Sequence, residues 1–383
     1  MIVVGARFFI VVPTVPLVQS DFVIQPPVAQ LIISAPYFFT LISLVIAGFI
    51  IRKFRTHQVI SFVLTVSVPG SLLCLFAPTF MILLIGRVWQ SLTLGVLIVA
   101  TRLLISEHSD SDKTIQKLME LFSVGILATA AVAPTVGAVL TVSYGWRSVH
   151  ALILLLTVIT CMLAWSYRSD SEKYQAQEYS YQVGREPSKR ICWDRTYLAY
   201  MIQSSFHFAM AVTFVSFLPH HVITQRGESY GSLGIGASLL VIGVGVGVLI
   251  ANRLLGRLRR ARQNMIGSVI ATSFCFGAAF YAYSSTEALT IWEFIAWGMA
   301  VAIGVGVSIP SAQLGLLSTI RGNHLGVSLS VYDSLRLILA GIGSQIAGLM
   351  SQSSAYEFAV FLLLISLVGL AASACLPRPP STG

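Results

Sequence analysis

Four stretches of this sequence set charged or titratable side chains inside apolar runs. In GRVWQSLTLGVLIVATRLL, residues 86–104, Arg87 is followed by Trp89 and, three residues on, by Gln90. SVYDSLRLILAGIGS, residues 330–344, holds Asp333 and Arg336, whose spacing puts both on one helix face. IQSSFHFAMAV carries Gln203, Phe206 and His207, and Glu293 stands near the start of the apolar run 288–317. A guanidinium in such a run is expensive unless it faces a cavity or a partner. A buried carboxylate is readily protonated, and an imidazole titrates near neutrality. The chemistry on offer is proton uptake and release beside a charged or amphipathic ligand. Each group also has a plainer reading. Arg87 can reach to the outer interface, Asp333 and Arg336 can be an ion pair serving only the fold, and His207 can be a hydrogen-bonded core histidine. The pair His220–His221 falls at the outer end of its run, where an interfacial position is expected.

The elements that hold these groups follow from composition. The chain has 383 residues, 56% hydrophobic and 10% charged, with mean hydropathy +0.82. A soluble domain carries about 25% charged residues, so this chain lacks the polar side chains to cover a water-facing surface. Apolar segments of roughly 20 residues, the span of a bilayer core, recur throughout. Alternating ten-residue segments, the mark of a membrane barrel, are absent. Breaks at charges and turn residues give twelve spans. The first six are 2–20, 29–51, 57–77, 80–105, 117–141 and 146–167. The second six are 196–223, 232–254, 263–284, 288–317, 324–350 and 355–376. The opening MIVVGARFFIVVPTVPLVQS lacks a signal-peptide n-region and cleavage site, so it reads as a first span. That span is short, with Arg7 close to its start, which suggests a start upstream of Met1.

The formal charge of +9 does not point to nucleic acid, because the basic residues sit in short loops between spans. Arg52, Lys53 and Arg55 fill one such loop, Arg253 to Arg262 another, with Arg321 and Arg378 further on. The polar stretch 168–195 reads as a linker between two sets of six spans. The alternate loops carry little beyond Arg147 and Arg226, which makes both termini and the linker cytoplasmic. Of five cysteines, Cys74, Cys161, Cys275 and Cys375 lie in apolar segments and Cys192 in the linker, without metal-ligand spacing. The chain contains no Gly-Lys pair and hence no phosphate-binding loop of the ATPase type; no HExxH occurs. GVGVGV at 243–248 lies inside a span and is no dinucleotide fingerprint. Neither a metal nor an organic cofactor is expected, nor enzymatic activity. Two matched sets of spans about a basic linker are the layout of secondary transporters, with a site near the midplane.

Within that layout, VAPTVGAVLTVSYGWRSVHALI, residues 132–153, resembles the fifth-helix signature of proton-driven drug exporters in the major facilitator superfamily. Pro134 and Gly137 match, Ala133 and Ala138 stand where the family has glycine, and Gly145-Trp146-Arg147 is also typical of the group. Arg87 and Gln90 match the fourth-helix motif, with Ser91 in place of its glycine. The first span resembles the bicyclomycin/chloramphenicol-resistance branch at Pro13, Pro16 and Asp21, while the buried acid of that branch falls on Phe9. The loop after the second span keeps Gly48 but has Arg52 and Arg55 where the family has Asp and Gly. The resemblance implies an all-α fold of twelve helices in two six-helix bundles, 1–167 and 196–383, working by alternating access.

It further implies export of a small organic molecule across the bacterial inner membrane in exchange for protons, by a monomer in the lipid bilayer. Proton coupling is assigned on this reading to Arg87, Glu293, Asp333 and His207. The substrate cavity takes Trp89, Gln90, Gln203, Phe206 and Arg336, with Phe208, Trp292 and Trp297 as further aromatic walls. Pro134 and Gly137 form the interface hinge, since small residues allow close helix approach and proline permits a kink. Uptake of a nutrient or metal chelate on the same fold, and a receptor or scaffold without transport, remain open alternatives.

Overall fold

The computed structural model describes residues 2–51, 53–107, 112–166, 194–284, 290–319 and 325–376. The expected linker lies outside them apart from Asp194 and Arg195, as do Arg52, Cys192, Arg321 and Arg378. Among the described residues there is no strand. The N-terminal half forms α1 (Ile2–Phe9), α2 (Val15–Asp21), α3 (Pro26–Ala29), α4 (Leu31–Ile50) and α5 (Thr56–Leu75). It continues with α6 (Phe80–Glu107), α7 (Asp112–Tyr144) and α8 (Trp146–Ser166). The C-terminal half forms α9 (Arg195–Pro219), α10 (Tyr230–Arg253) and α11 (Arg260–Ser284), then α12 (Ile291–Thr319), α13 (Leu325–Leu349) and α14 (Ala355–Ala374). Among the described residues, eleven helices are long and apolar enough to cross a membrane, the first beginning at Pro26. The chain is an all-α polytopic membrane protein.

The expected first span, 2–20, is helical but broken. Between α1 and α2 the chain makes a 3-10 turn at Val12–Thr14, with Pro13 and Pro16 each opening a new helical segment. A proline supplies no backbone donor and restarts a helix well. Thr14 mends the break by aiming both its amide (3.0 Å) and its hydroxyl (2.6 Å) at the carbonyl of Val11. By contrast Pro36, Pro69, Pro134 and Pro310 sit inside continuous helices, as neighbouring helices in a membrane permit.

Two compact units emerge. The first holds the described residues of Met1–Gln175 together with Ser216–Ser238 and Ser344–Ser351; the second holds those of Ala176–Val215, Leu239–Gly343 and Gln352–Gly383. In the first, α6 packs on α4 and α5, and α5 on α8. In the second, α11 packs on α12 and α14. One core of the first unit gathers Ile10, Val11, Val18, Ile32, Leu83, Trp146 and Ile153. Large apolar side chains such as Val45, Phe49, Phe62, Leu155, Met162, Phe276 and Phe280 stay exposed. On a soluble protein they would be an aggregation hazard; on membrane-spanning helices such side chains suit contact with lipid.

The α7–α8 corner explains the Gly-Trp-Arg triplet. Gly145 takes φ +78° where α7 ends, a conformation favouring a residue without Cβ. Trp146 turns inward and donates from Nε1 to Asp21 Oδ2 at 2.7 Å. Arg147 lies over the Trp146 ring at 4.2 Å, pairs with Asp21 at 4.0 Å and donates to the Ala77 carbonyl at 3.1 Å.

Candidate functional site

Arg87 does not run to the outer interface. It is 2% exposed and anchored in three directions. Nε donates to the Ile32 carbonyl (3.3 Å), Nη1 to Gln90 Oε1 (3.0 Å) and Nη2 to the Arg7 carbonyl (3.0 Å). The three-residue spacing of Arg87 and Gln90 thus makes one buried pair on α6, and Gln90 Nε2 donates onward to Ser71 Oγ at 3.1 Å. Sequence reasoning missed the second member of this cluster, Arg7, also 2% exposed. Its Nη2 donates to Ser67 Oγ and Thr157 Oγ1, both at 3.0 Å, and its Nη1 reaches the Gln90 carbonyl and Thr93 Oγ1 at 3.4 Å. α1, α5, α6 and α8 together enclose this guanidinium.

The second unit repeats the plan with milder groups. His207 Nδ1 on α9 lies 2.8 Å from Gln203 Nε2 and 2.7 Å from Ser308 Oγ on α12. Gln203 Oε1 accepts from Asn264 on α11 at 2.9 Å, and Ser373 on α14 bonds both Asn264 and Ser268. The spans engaged are the first, third, fourth and sixth of each half; Arg7 reaches its three neighbours directly, whereas His207 bonds α12 itself and joins α11 and α14 through Gln203 and Asn264. Gln203 and His207 are fully buried here, and Gly369 on α14 leaves room for the His207 ring, whose Nε2 would lie 2.7 Å from an added Cβ.

Asp333 and Arg336 pair at 3.5 Å with side chains 33% and 16% exposed. The Arg336 guanidinium also lies over Phe208 (4.4 Å) and Tyr332 (5.2 Å), so the aromatic wall beside the cation is Phe208, while Phe206 is half-buried elsewhere on α9. Three tryptophans and Glu293 stand at the other expected positions. Trp297 belongs to an aromatic core with Phe214, Phe294 and Phe358, its Nε1 bonded to the Phe274 carbonyl at 2.9 Å. Trp89 and Trp292 are exposed, and Trp89 packs on Gly70 while donating to the Val66 carbonyl at 2.7 Å.

Glu293 is engaged at its own helix start. It is an exposed carboxylate in the first turn of α12, accepting from the Thr290 amide (2.7 Å) and hydroxyl (2.9 Å), while its own amide meets Thr290 Oγ1. Ser354 and Glu357 do the same at the start of α14. The signal was present as T-x-x-E and S-x-x-E, the spacing of a capping box. Glu293→Gln, which still accepts these bonds, is expected to leave activity and unfolding temperature unchanged; Glu293→Ala slightly lowers the unfolding temperature alone. Thermal unfolding in detergent beside a cell assay reads both.

Around Pro134 the backbones close up. Pro134 is buried inside α7, and an added Cβ at Gly234 on α10 would meet Ala138 Cβ (2.6 Å), Thr135 Cα (3.0 Å) and the Pro134 carbonyl (3.2 Å). Thr135 Oγ1 also bonds the Gly234 carbonyl (3.2 Å) and Ser238 Oγ (2.8 Å). Gly137 faces elsewhere: its Cβ direction points into the carbonyl of Ile10, at the break between α1 and α2. A further polar network in this unit had no sequence signal. Gln30 donates to Ser344 Oγ at 3.0 Å and accepts near His220 Nε2 at 3.2 Å, and Ser216 donates to Ser344 at 3.0 Å. Gln345 bonds Ser34 (2.7 Å) and the Pro27 carbonyl (2.8 Å). His220 and His221, expected at the interface, are buried in a π-helical turn, His220–Gln225.

Basic groups buried among long, closely apposed apolar helices are features of a membrane transporter. The family model described as Major Facilitator Superfamily matches residues 1–344, and the chain belongs to that family. A chloramphenicol resistance protein from Pseudomonas aeruginosa is 27% identical over 259 residues, 65% of this chain and 58% of that protein. The match therefore spans less than two thirds of that relative. The crystal structure of a D-xylose-proton symporter superposes with TM-score 0.73 over 98% of this chain and 94% of its own, at 14% identity. That likeness speaks for the fold.

Proposed function

We propose that this transporter exports a small organic molecule from a bacterial cell across the inner membrane, with both termini cytoplasmic, in exchange for protons. The observation that carries the reading is the seam at Pro134, Thr135 and Ala138 against Gly234. In it the family's exporter signature occupies a backbone-to-backbone contact whose close fit permits little but rigid-body motion. The likeness to a chloramphenicol resistance protein supports the direction. On this reading 1–167 and 196–383 are the two bundles that rock about the seam. Arg87, held by Gln90, assists coupling; His207 and the Asp333–Arg336 pair are the titratable and charged groups of the second bundle. Gln203 positions His207, and Phe206 and Trp89 supply apolar surface to the path.

Cells with and without the protein, loaded with chloramphenicol and with labelled amphipathic compounds of each charge, provide the test. Export lowers accumulation of at least one compound several-fold, and a proton uncoupler removes the difference. Raised accumulation marks uptake and overturns the direction; no change for any compound overturns transport of this class.

A further inference from the structure

The first unit keeps two guanidiniums in its interior and, among the described residues, gives them no carboxylate. The sequence has no Asp or Glu from Phe22 to Ser106 and none from Leu121 to Ser166, so all five uninterrupted spans of the N-terminal half lack a negative side chain. Asp21, the acid of the first segment, is taken by Trp146 and Arg147. Arg7 and Arg87 are neighbours through Gln90, whose carbonyl accepts from Arg7 and whose side chain accepts from Arg87. Every acceptor around them is neutral: the hydroxyls of Ser67, Thr93 and Thr157, the Gln90 amide and three backbone carbonyls. Arginine does not lose its proton in proteins, so the cluster carries two positive charges that its own residues leave unbalanced.

Two buried groups also carry nitrogens without a hydrogen-bond partner, although the His150 ring packs edge-on against Trp146 at 5.8 Å. Arg7 Nε has no acceptor. His150, fully buried and two helical turns from Thr157 on the same face of α8, has no hydrogen-bond partner at either ring nitrogen. Buried charge is stable when it meets an opposite charge, and the planar guanidinium fork matches a carboxylate with two parallel bonds.

We propose that Arg7 and Arg87 form an anion site, and that the transported molecule is an amphipathic carboxylate whose head group they hold. The hydroxyls of Ser67, Thr93 and Thr157 are the acceptors that the carboxylate displaces, with His150 as a further polar partner. Phe8 and Tyr37, stacked at 5.0 Å beside Arg7 in α1 and across on α4, offer apolar surface to the rest of the molecule. In this conformation both guanidiniums are closed off, so the carboxylate enters when the helices around Arg7 part.

The proposal rests on the transport reading above and names its substrate class. Its test is binding, which is blind to direction and coupling. The full chain in nanodiscs is titrated, in sulfate buffer free of chloride, with benzoate and longer aryl carboxylates and with their matched amides and ammonium analogues. Carboxylates raise the unfolding temperature, and bind roughly tenfold or more tighter than the amides, the scale of one charge-assisted hydrogen bond. Arg7→Lys keeps the charge and loses the fork, and weakens the carboxylates about tenfold while the amides are unaffected; Arg7→Gln abolishes the preference. Equal binding of amide and carboxylate overturns the proposal. So does an unchanged carboxylate affinity in Arg7→Lys, which is read even where Arg7→Gln does not fold. Stabilisation by chloride that carboxylates do not compete away also overturns it, because the site then holds an inorganic counter-ion. Carboxylate binding without lowered accumulation in cells would sink the export reading alone.

Discussion

Arg87→Met is expected to give a folded protein in which transport falls by roughly a hundredfold. The two halves of that result have different causes. Removing the guanidinium deletes three hydrogen bonds, to Ile32, Gln90 and Arg7, each worth about 1.5–3 kcal/mol when one partner is charged. It also removes an ion whose burial costs several kcal/mol and which no carboxylate repays. The methionine fills much of the same volume, so the two terms offset and the unfolding temperature moves by a few degrees. Function has no such compensation. About 3 kcal/mol of lost interaction with a charged ligand is roughly a hundredfold. Arg87→Lys retains the charge on a single ammonium that cannot reach three acceptors lying in three directions, and an intermediate loss is expected. Accumulation in cells at matched expression, beside thermal unfolding in detergent, separates stability from activity. Undiminished transport by Arg87→Met would show that the guanidinium serves only the fold.

What the sequence made legible is what hydrophobicity and charge dictate directly. Each uninterrupted span was readable because a run of roughly 20 apolar residues has few alternatives to a membrane helix. Its ends were readable because arginines and turn residues mark them. Arg87 and Gln90 were readable because their spacing alone puts them on one face of α6. Arg7 was not, for the reason that makes it interesting: a lone basic residue near a start resembles a flank, and its four partners come from three other helices. Ser67, Thr157, Gln30 and Ser344 are likewise ordinary residues in their own spans, and only packing turns them into networks. Glu293 erred the other way. Its position in an apolar run suggested burial, whereas the threonine three residues earlier already provided a helix cap. Pro13 and Pro16 carried the break in the first span in plain view, although apolar flanks on both sides read as one continuous helix.

Two glycines in close contacts, Gly137 on α7 and Gly234 on α10, give the second large effect, and they separate two jobs. Gly137→Leu is expected to prevent accumulation of folded protein. A side chain there grows straight into the Ile10 carbonyl, with the Ile10 carbonyl carbon at 3.0 Å and its Cγ1 at 3.3 Å. Ile10 is itself packed with Val11, Ala133 and Trp146 and has nowhere to move. Even Gly137→Ala is destabilised by about 1–3 kcal/mol, the usual cost of overfilling a closed contact. Gly234→Leu presses instead on Thr135 and Ala138 and parts the Thr135–Ser238 bond. That contact joins α7 to the start of α10, and its nearest atom is the Ala138 side chain rather than a backbone carbonyl, so this variant is expected to fold and to lose transport. Gly277→Ala, inside α11 with open space around its Cβ direction, is the control, and gains about 0.5–1 kcal/mol from helix propensity. Membrane yield, gel-filtration profile, unfolding temperature and cellular accumulation read the three outcomes apart. A well-folded, active Gly137→Leu would show that α7 does not need its close approach to the break in the first span. An active Gly234→Leu would remove the seam from the mechanism.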